Sequence, residues 1–403
     1  MISLPLSGIR VLDLSNVLSG PFCTYQLALL GAAVLKIENP TGGDLARRLG
    51  ADPQASARNM GASFVAVNAG KESMTLNLKH EAGKDILRKL VADADVLVEN
   101  FRPGVMDRLG LGAKSLLELN PRLVYCAISG FGNDGPLAHR PAYDQIIQGM
   151  SGAMSVTGDA ESAPLRVGYP VSDTVGGMNA ALAICAAVLA AQRTGEGRII
   201  DVSMLEATLS SMGWVVSNYL NAGVTPAPMG NENFTAAPSG TFVCGDGMLN
   251  IAANETKQFV ALCELIGRPD LPHDARFSER NTRKRYRAEL KQEIEAALAL
   301  DTAGNWEQRM TAAGVPAGLV LSVPEAIGQP QLAGRGFVHE LQDGDTVQRV
   351  TRAGFRFADG HGELSSGAPV SRAPHLSEHT DAHLQRLGFD AGAIARLRED
   401  GAI

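Results

Sequence analysis

The sequence predicts an α/β fold: a large domain built on a mainly parallel sheet, and a smaller α+β domain. Three observations predict it. Residues 9 to 128 alternate short apolar strand patterns with helical ones. Residues 221 to 240 are rich in Gly, Pro, Asn and Ala and separate two patterned regions. Finally, 403 residues with 45% hydrophobic and 20% charged side chains are enough to bury more than one core. The boundaries read as 1–220 with 335–403 for the large domain, and 221–334 for the small one.

The elements follow in order. Ile9 to Leu14 reads as a buried strand, and Gly20-Pro21 opens a helical run from Phe22 to Leu30. Gly31 to Ile37 is a second strand, and Ser73 to Leu78 is a third with period-two alternation. Gly83 to Ala92 is helical, with Ile86, Leu87, Leu90 and Val91 on one face. Val96 to Val98 and Leu123 to Ile128 supply further strands. This alternation implies right-handed βαβ units, which take ligands at the carboxyl ends of their strands. Val175 to Gln192 reads as a core helix, Arg198 to Ser203 as a strand and Met204 to Tyr219 as a buried helix. Pro238 to Ala252 reads as a hairpin around a Gly-Asp-Gly turn, and Gln258 to Ile266 and Tyr286 to Leu298 as helices.

Composition narrows the function. A net charge of −7 argues against a nucleic-acid binder. The five cysteines are odd in number, form no C-x-x-C and lie in apolar runs, which suits a reducing cytoplasm. No zinc-type spacing occurs, so no metal is expected. The start lacks a basic region followed by an apolar run, so no signal peptide is read there. The most apolar stretch, Val175 to Ala191, is shorter than the ~20 residues that span a bilayer and carries Gly176, Gly177 and Asn179. No membrane partner is expected. Gly130-Phe-Gly132-Asn-Asp-Gly135 fits G-x-G-x-x-G, but Pro136 and Pro141 follow at once and no helix begins there. A dinucleotide site is rejected.

One carboxylate stands out. Asp173 lies where a Pro-containing extended segment meets an apolar helical run, which makes it a helix N-cap. Free N–H groups and the helix dipole would favour its ionised form, and an ionised, shielded carboxylate can attack an activated acyl group. An aspartate at a helix start is commonly structural, so position alone does not assign the role.

The words around it do more. Gly168-Tyr-Pro-Val-Ser-Asp173-Thr-Val-Gly-Gly-Met178 resembles the Asp-centred motif of the class III (CaiB/BaiF, formyl-CoA transferase-like) coenzyme A transferases. Asn16 to Pro21, Lys36 to Asp44, Asn68 to Lys71, Glu99 to Gly110, Ala313 to Gly318, Gly334 to Phe337 and the end from Leu387 also match, so the resemblance spans essentially the whole chain. It implies a Rossmann-like large domain, a homodimer of interlocked rings, and Asp173 as the nucleophile. CoA is then a substrate, and no cofactor is bound permanently. The resemblance further implies that Val17, Leu18, Ser19, Asn39, Lys71, Asn100, Phe101, Arg102, Arg108 and Leu109 build the CoA site, with Tyr143, Gly176 and Gly177 at the substrate pocket. Lys71, Arg102 and Arg108 suit phosphates, and Phe101 with the Val17–Ser19 backbone suits adenine or the pantetheine arm.

In the racemase branch of the family a histidine stands where this chain has Tyr143. A tyrosine with a pKa near ~10 abstracts an α-proton poorly, which favours transfer over the alternative, an acyl-CoA racemase or epimerase using His139. Oxalate-handling formyl-CoA transferases of the family carry a glycine run followed by Gln near the linker; none occurs here, which weakens oxalate or formate as the substrate pair. The expected donor is succinyl-CoA or another dicarboxylic acyl-CoA, the acceptor a small carboxylic acid. Arg47, Arg48, Arg140 and Arg166 are the cations available for a second carboxylate.

Overall fold

The computed structural model describes residues 4–358, 361–362, 364–365, 367 and 369–403. It forms two compact units: Met1–Ala153 with Arg166–Val224 and Gln331–Ile403, and Met154–Leu165 with Thr225–Pro330. The short piece 154–165, read above as part of the large domain, belongs to the second unit.

The first unit is a six-stranded parallel sheet of β1 (Arg10–Asp13), β2 (Ala33–Glu38), β3 (Glu72–Thr75), β4 (Val96–Glu99), β5 (Val124–Ser129) and β6 (Arg198–Ser203), in the order β3-β2-β1-β4-β5-β6. The order reverses between β1 and β4, the switch point at which sheets of this kind bind ligands. Successive side chains on a strand point to opposite faces, and the core splits accordingly. Val11, Val34, Val96, Val98, Val124 and Cys126 face one cluster, and Leu12, Leu35, Leu97 and Tyr125 face the other. Helices cover both faces, as a parallel sheet requires.

Helix α1 (Ser19–Leu29) follows β1, and α2 (Glu81–Ala92) puts Ile86, Leu87 and Val91 on the second face. Helix α3 (Asp144–Met150) precedes the 24-residue α4 (Val171–Thr194), whose Ala180, Ile184, Ala187 and Val188 fill the first face. Helix α4 is long and apolar enough to cross a membrane by length and composition alone, but this stripe is packed in the core. The second face is completed by the far end of the chain, with Leu384, Ile394 and Ile403.

Met204 to Tyr219 is not one buried helix. It divides into α5 (Met204–Ser211) and α6 (Gly213–Ala222), and α6 has no buried residue. Trp214 is 78% exposed and Leu220 71%.

The second unit holds the antiparallel strands β7 (Ser239–Val243), β8 (Met248–Ala252) and β9 (Ala317–Leu319). Phe242, Leu249 and Ile251 pack there with Phe259, Leu262, Leu290, Ile294, Trp306 and Met310.

Candidate active site

A cavity of about 260 Å³ lies at the switch point. The loops after β1 and β4 line it with Asn16, Val17, Leu18, Ser19, Asn100, Phe101, Arg102 and Pro103. The segment before α3 adds Arg140 and Tyr143, and Asp173 and Met204 complete the wall. Eight residues separated widely in sequence and picked for CoA or catalysis therefore share one cavity: Val17, Leu18, Ser19, Asn100, Phe101, Arg102, Tyr143 and Asp173. The loops are tied together by Asn100, whose Oδ1 accepts from the Asn16 N–H at 2.8 Å and whose Nδ2 donates to the Asn16 carbonyl at 2.9 Å.

Asp173 is the third residue of α4, and Pro170, with no side-chain bond, is the N-cap. The expected capping role falls instead to Asp144. Its Oδ1 accepts from the Ser172 N–H at 2.8 Å and the Asp173 N–H at 3.4 Å, and its Oδ2 accepts from Gln148 at 2.7 Å. The helix amides thus serve Asp144, and Asp173 faces a second carboxylate from a half-buried position. Burial and the Asp144 charge push the Asp173 carboxyl up to about 7, against a hydrogen bond from the Ser19 side chain. This reverses the expectation that the helix start would favour ionisation.

Asp144→Asn tests the arrangement. The amide oxygen still accepts from Ser172, while the charge is gone. The acid limb of the kcat/KM profile is expected near pH 7 in the wild type and lower in the variant by roughly one unit. An unmoved limb would contradict the coupling.

Six predicted residues do not line the cavity. Lys71 is 2% exposed, and its ammonium donates to Asp13 (2.9 Å), Thr24 (2.8 Å), Asn68 (2.9 Å) and the Pro21 carbonyl (2.9 Å). With its donors engaged inside the fold, Lys71 has none for a phosphate. Asn39 is exposed in the turn after β2, where it accepts from the Thr41 N–H at 2.8 Å. Arg108 is exposed and Leu109 packs on the second face of the sheet; neither lines the cavity. Gly176 and Gly177 serve packing. A Cβ at Gly177 would stand 2.5 Å from the Ser19 carbonyl, and one at Gly176 would stand 3.0 Å from Met204. Glycine at 177 is what lets α4 approach the start of α1. The N–H groups of 174 to 177 bond backward within α4 or to Pro170 and are not free for an oxyanion. Among the described residues the Ser19 and Gly20 N–H groups, in the first turn of α1, carry no hydrogen bond.

Of the arginines considered for a second carboxylate, Arg47 is buried and paired twice with Glu38 at 2.7 Å. Arg48 donates to the Gly42 carbonyl at 2.6 Å. Arg140 alone of the four lines the cavity, and His139 does not line it. The Gly130–Gly135 loop follows β5 and starts no helix. Among the described residues no three His, Cys, Asp or Glu side chains form a metal-ligand group.

Comparison with known proteins bears on this geometry. CoA-transferase family III matches residues 6–380. An acetyl-CoA:oxalate CoA-transferase of Acetobacter aceti is 44% identical over 335 residues, covering 83% of this chain and 85% of that one. A mouse (Mus musculus) succinyl-CoA:glutarate CoA-transferase is 34% identical over 400 residues, covering 99% and 90%. The crystal structure of a CaiB/BaiF family protein from Brucella suis superposes with a TM-score of 0.84 at 34% identity, covering 96% of this chain and 100% of that one. With the motif around Asp173 on a Rossmann-like sheet, the chain belongs to CoA-transferase family III, the CaiB/BaiF family, and is an acyl-CoA:carboxylate CoA-transferase.

Proposed function

We propose that the chain moves CoA from a dicarboxylic acyl-CoA, succinyl-CoA foremost, to a second small carboxylic acid through covalent intermediates on Asp173. The observation that carries this is the placement of Asp173 in the switch-point cavity, where burial and Asp144 make its carboxylate a stronger nucleophile than a free one. The Asp173 carboxylate attacks the thioester carbonyl, and the C–S bond breaks to give a mixed anhydride and CoA thiolate. The thiolate attacks the aspartyl carbonyl and releases the donor acid, leaving an aspartyl-CoA thioester. The acceptor carboxylate then attacks that thioester and expels the thiolate, giving a second mixed anhydride; the thiolate attacks its acceptor acyl carbonyl, which forms the new acyl-CoA and frees the Asp173 carboxylate. Bonds of similar energy are exchanged, so no ATP enters. The enzyme supplies position and a place for the oxyanion, which we assign to the Ser19 and Gly20 N–H groups.

Arg102 and Arg140 line the same cavity and are the cations for the CoA phosphates and a second substrate carboxylate. The relatives named for oxalate and glutarate support a dicarboxylic acceptor. Intact-protein mass spectrometry after mixing with succinyl-CoA tests the mechanism. A CoA or acyl adduct is expected on Asp173 and absent from Asp173→Ala. Turnover without any adduct on this residue would sink the reading.

The protein acts as a homodimer in the cytoplasm. Helix α4 exposes Met178, Leu182 and Leu189, and α6 exposes Trp214 and Leu220, an apolar surface that a second copy would cover. Light scattering after gel filtration is expected to give the dimer mass through hundredfold dilution, because interlocked rings separate slowly. A monomer at any of these concentrations would overturn the interlocked form.

A further inference from the structure

We propose that Lys36 and Asp44 are positioning residues for CoA transfer. As a buried pair they grip the turn Ser15–Val17 and thereby aim Ser19 at Asp173. This rests on Asp173 as the nucleophile.

The turn needs holding. Val17 has φ of +67°, in the left-handed region where a β-branched residue is strained. Such strain persists only where the surroundings over-determine it, and here they do. Asp44 Oδ1 accepts from the Val17 N–H at 2.9 Å. Lys36 Nζ donates to the Ser15 carbonyl at 2.7 Å and stands 3.0 Å from Asp44 Oδ2. The pair thus grips the chain on both sides of Asn16, whose own N–H and carbonyl are held by Asn100. Leu18 and Ser19 follow directly, both in the cavity wall. Gly20 is a glycine because a Cβ there would collide with the side chain of Ser15 as the turn folds back.

The expense of the arrangement also points to function. Asp13, Glu38 and Asp44 stand against Lys36, Lys71 and Arg47, three charges of each sign, with side chains no more than 1% exposed. A buried ionic cluster gives less stability than a well-packed apolar one, so stability is a poor reason for placing it beneath this turn. Holding a strained backbone at a reactive centre is a better one.

The test is a kinetic cycle. Lys36→Met/Asp44→Ala removes the grip and leaves the cluster electrically balanced. Its kcat is expected to fall about 10–100-fold, the scale of a misplacement near 1 Å. Adding Val17→Gly, which takes a positive φ without help, should restore kcat at least about threefold in that background and give no gain in the wild type. Loss of the aim also takes the Ser19 hydroxyl away from Asp173, so the kcat/KM acid limb should move upward in the paired variant, and Ser19→Ala is expected to move it the same way. Lys36→Gln/Asp44→Asn, which retains the hydrogen-bonding atoms, should keep kcat within about threefold of wild type. The proposal is overturned if the grip-less variant keeps full kcat, if Val17→Gly acts equally in both backgrounds, if the acid limb stays put, or if the Gln/Asn variant folds but loses more than tenfold. Should the Met/Ala chain not fold, the Gln/Asn variant decides alone. Asp173→Ala in the same assay separates the two readings. Persistent transfer there removes the nucleophile assignment, while the Val17 coupling still judges the grip.

Discussion

Asp173→Asn is expected to lower kcat by at least about 10³-fold, because the amide cannot form the anhydride, and yet to yield a more stable protein. The second effect follows from linkage. The carboxyl is held up to about 7 in the fold against 3.8 in an open chain. Between those values the folded state binds more protons than the unfolded one, so stability falls as pH rises through the window. At pH 8 the wild type carries the full penalty, of order a few kcal/mol, and the neutral amide carries none. Denaturant titration should find the variant more stable at pH 8, with the gap closing towards pH 4. An equal or lower stability at pH 8 would show that Asp173 is not held in an unfavourable environment.

Lys71→Met separates a structural lysine from a phosphate-binding one. In the fold Lys71 is the ammonium closest to Asp13, at 2.9 Å, with Lys36 at 3.9 Å. Burial pulls the Asp13 carboxyl up, but these two ammonium groups and the Ser15 and Thr24 hydroxyls hold it well below the usual range. Removing one partner of a buried pair leaves charge uncompensated and costs about 3–5 kcal/mol. The expected outcome is a large drop in unfolding free energy, with the KM for acyl-CoA little changed in the protein that stays folded. A stable variant with a many-fold higher KM would instead return Lys71 to the CoA site.

These two residues show how far the sequence reaches. The strands were legible as short apolar runs, most of them bounded by Gly or Pro, with period-two alternation in Ser73 to Leu78. Asp173 was legible through its neighbours in the motif. Its environment was not, since Asp144 lies 29 residues away and meets it only because α3 packs at the start of α4. Lys71 was read as a CoA-phosphate ligand, because the resemblance placed it at the CoA site and most lysines reach solvent. A signal was present all the same: Asp13 and Lys36 interrupt the apolar strands Val11-Leu-Asp-Leu14 and Leu35-Lys-Ile37, and a charge inside a buried strand calls for a partner. The exposed side of α6 was read as buried because an apolar helix has the same composition whether its own chain or another one covers it.

The return of residues 380–403 to the sheet has a consequence for synthesis. Asn77 donates its N–H to the Ala402 carbonyl at 2.9 Å, and Thr75 bonds to Thr380 at 3.0 Å. While the ribosome makes everything in between, including the whole second unit, Leu12, Leu35 and Met74 lack part of their cover. At elongation rates of about 5–20 residues per second that wait is roughly half a minute. The nascent chain must pass it with apolar strand surface open to water, a state in which a chaperone that shields such surface would raise the yield of folded enzyme.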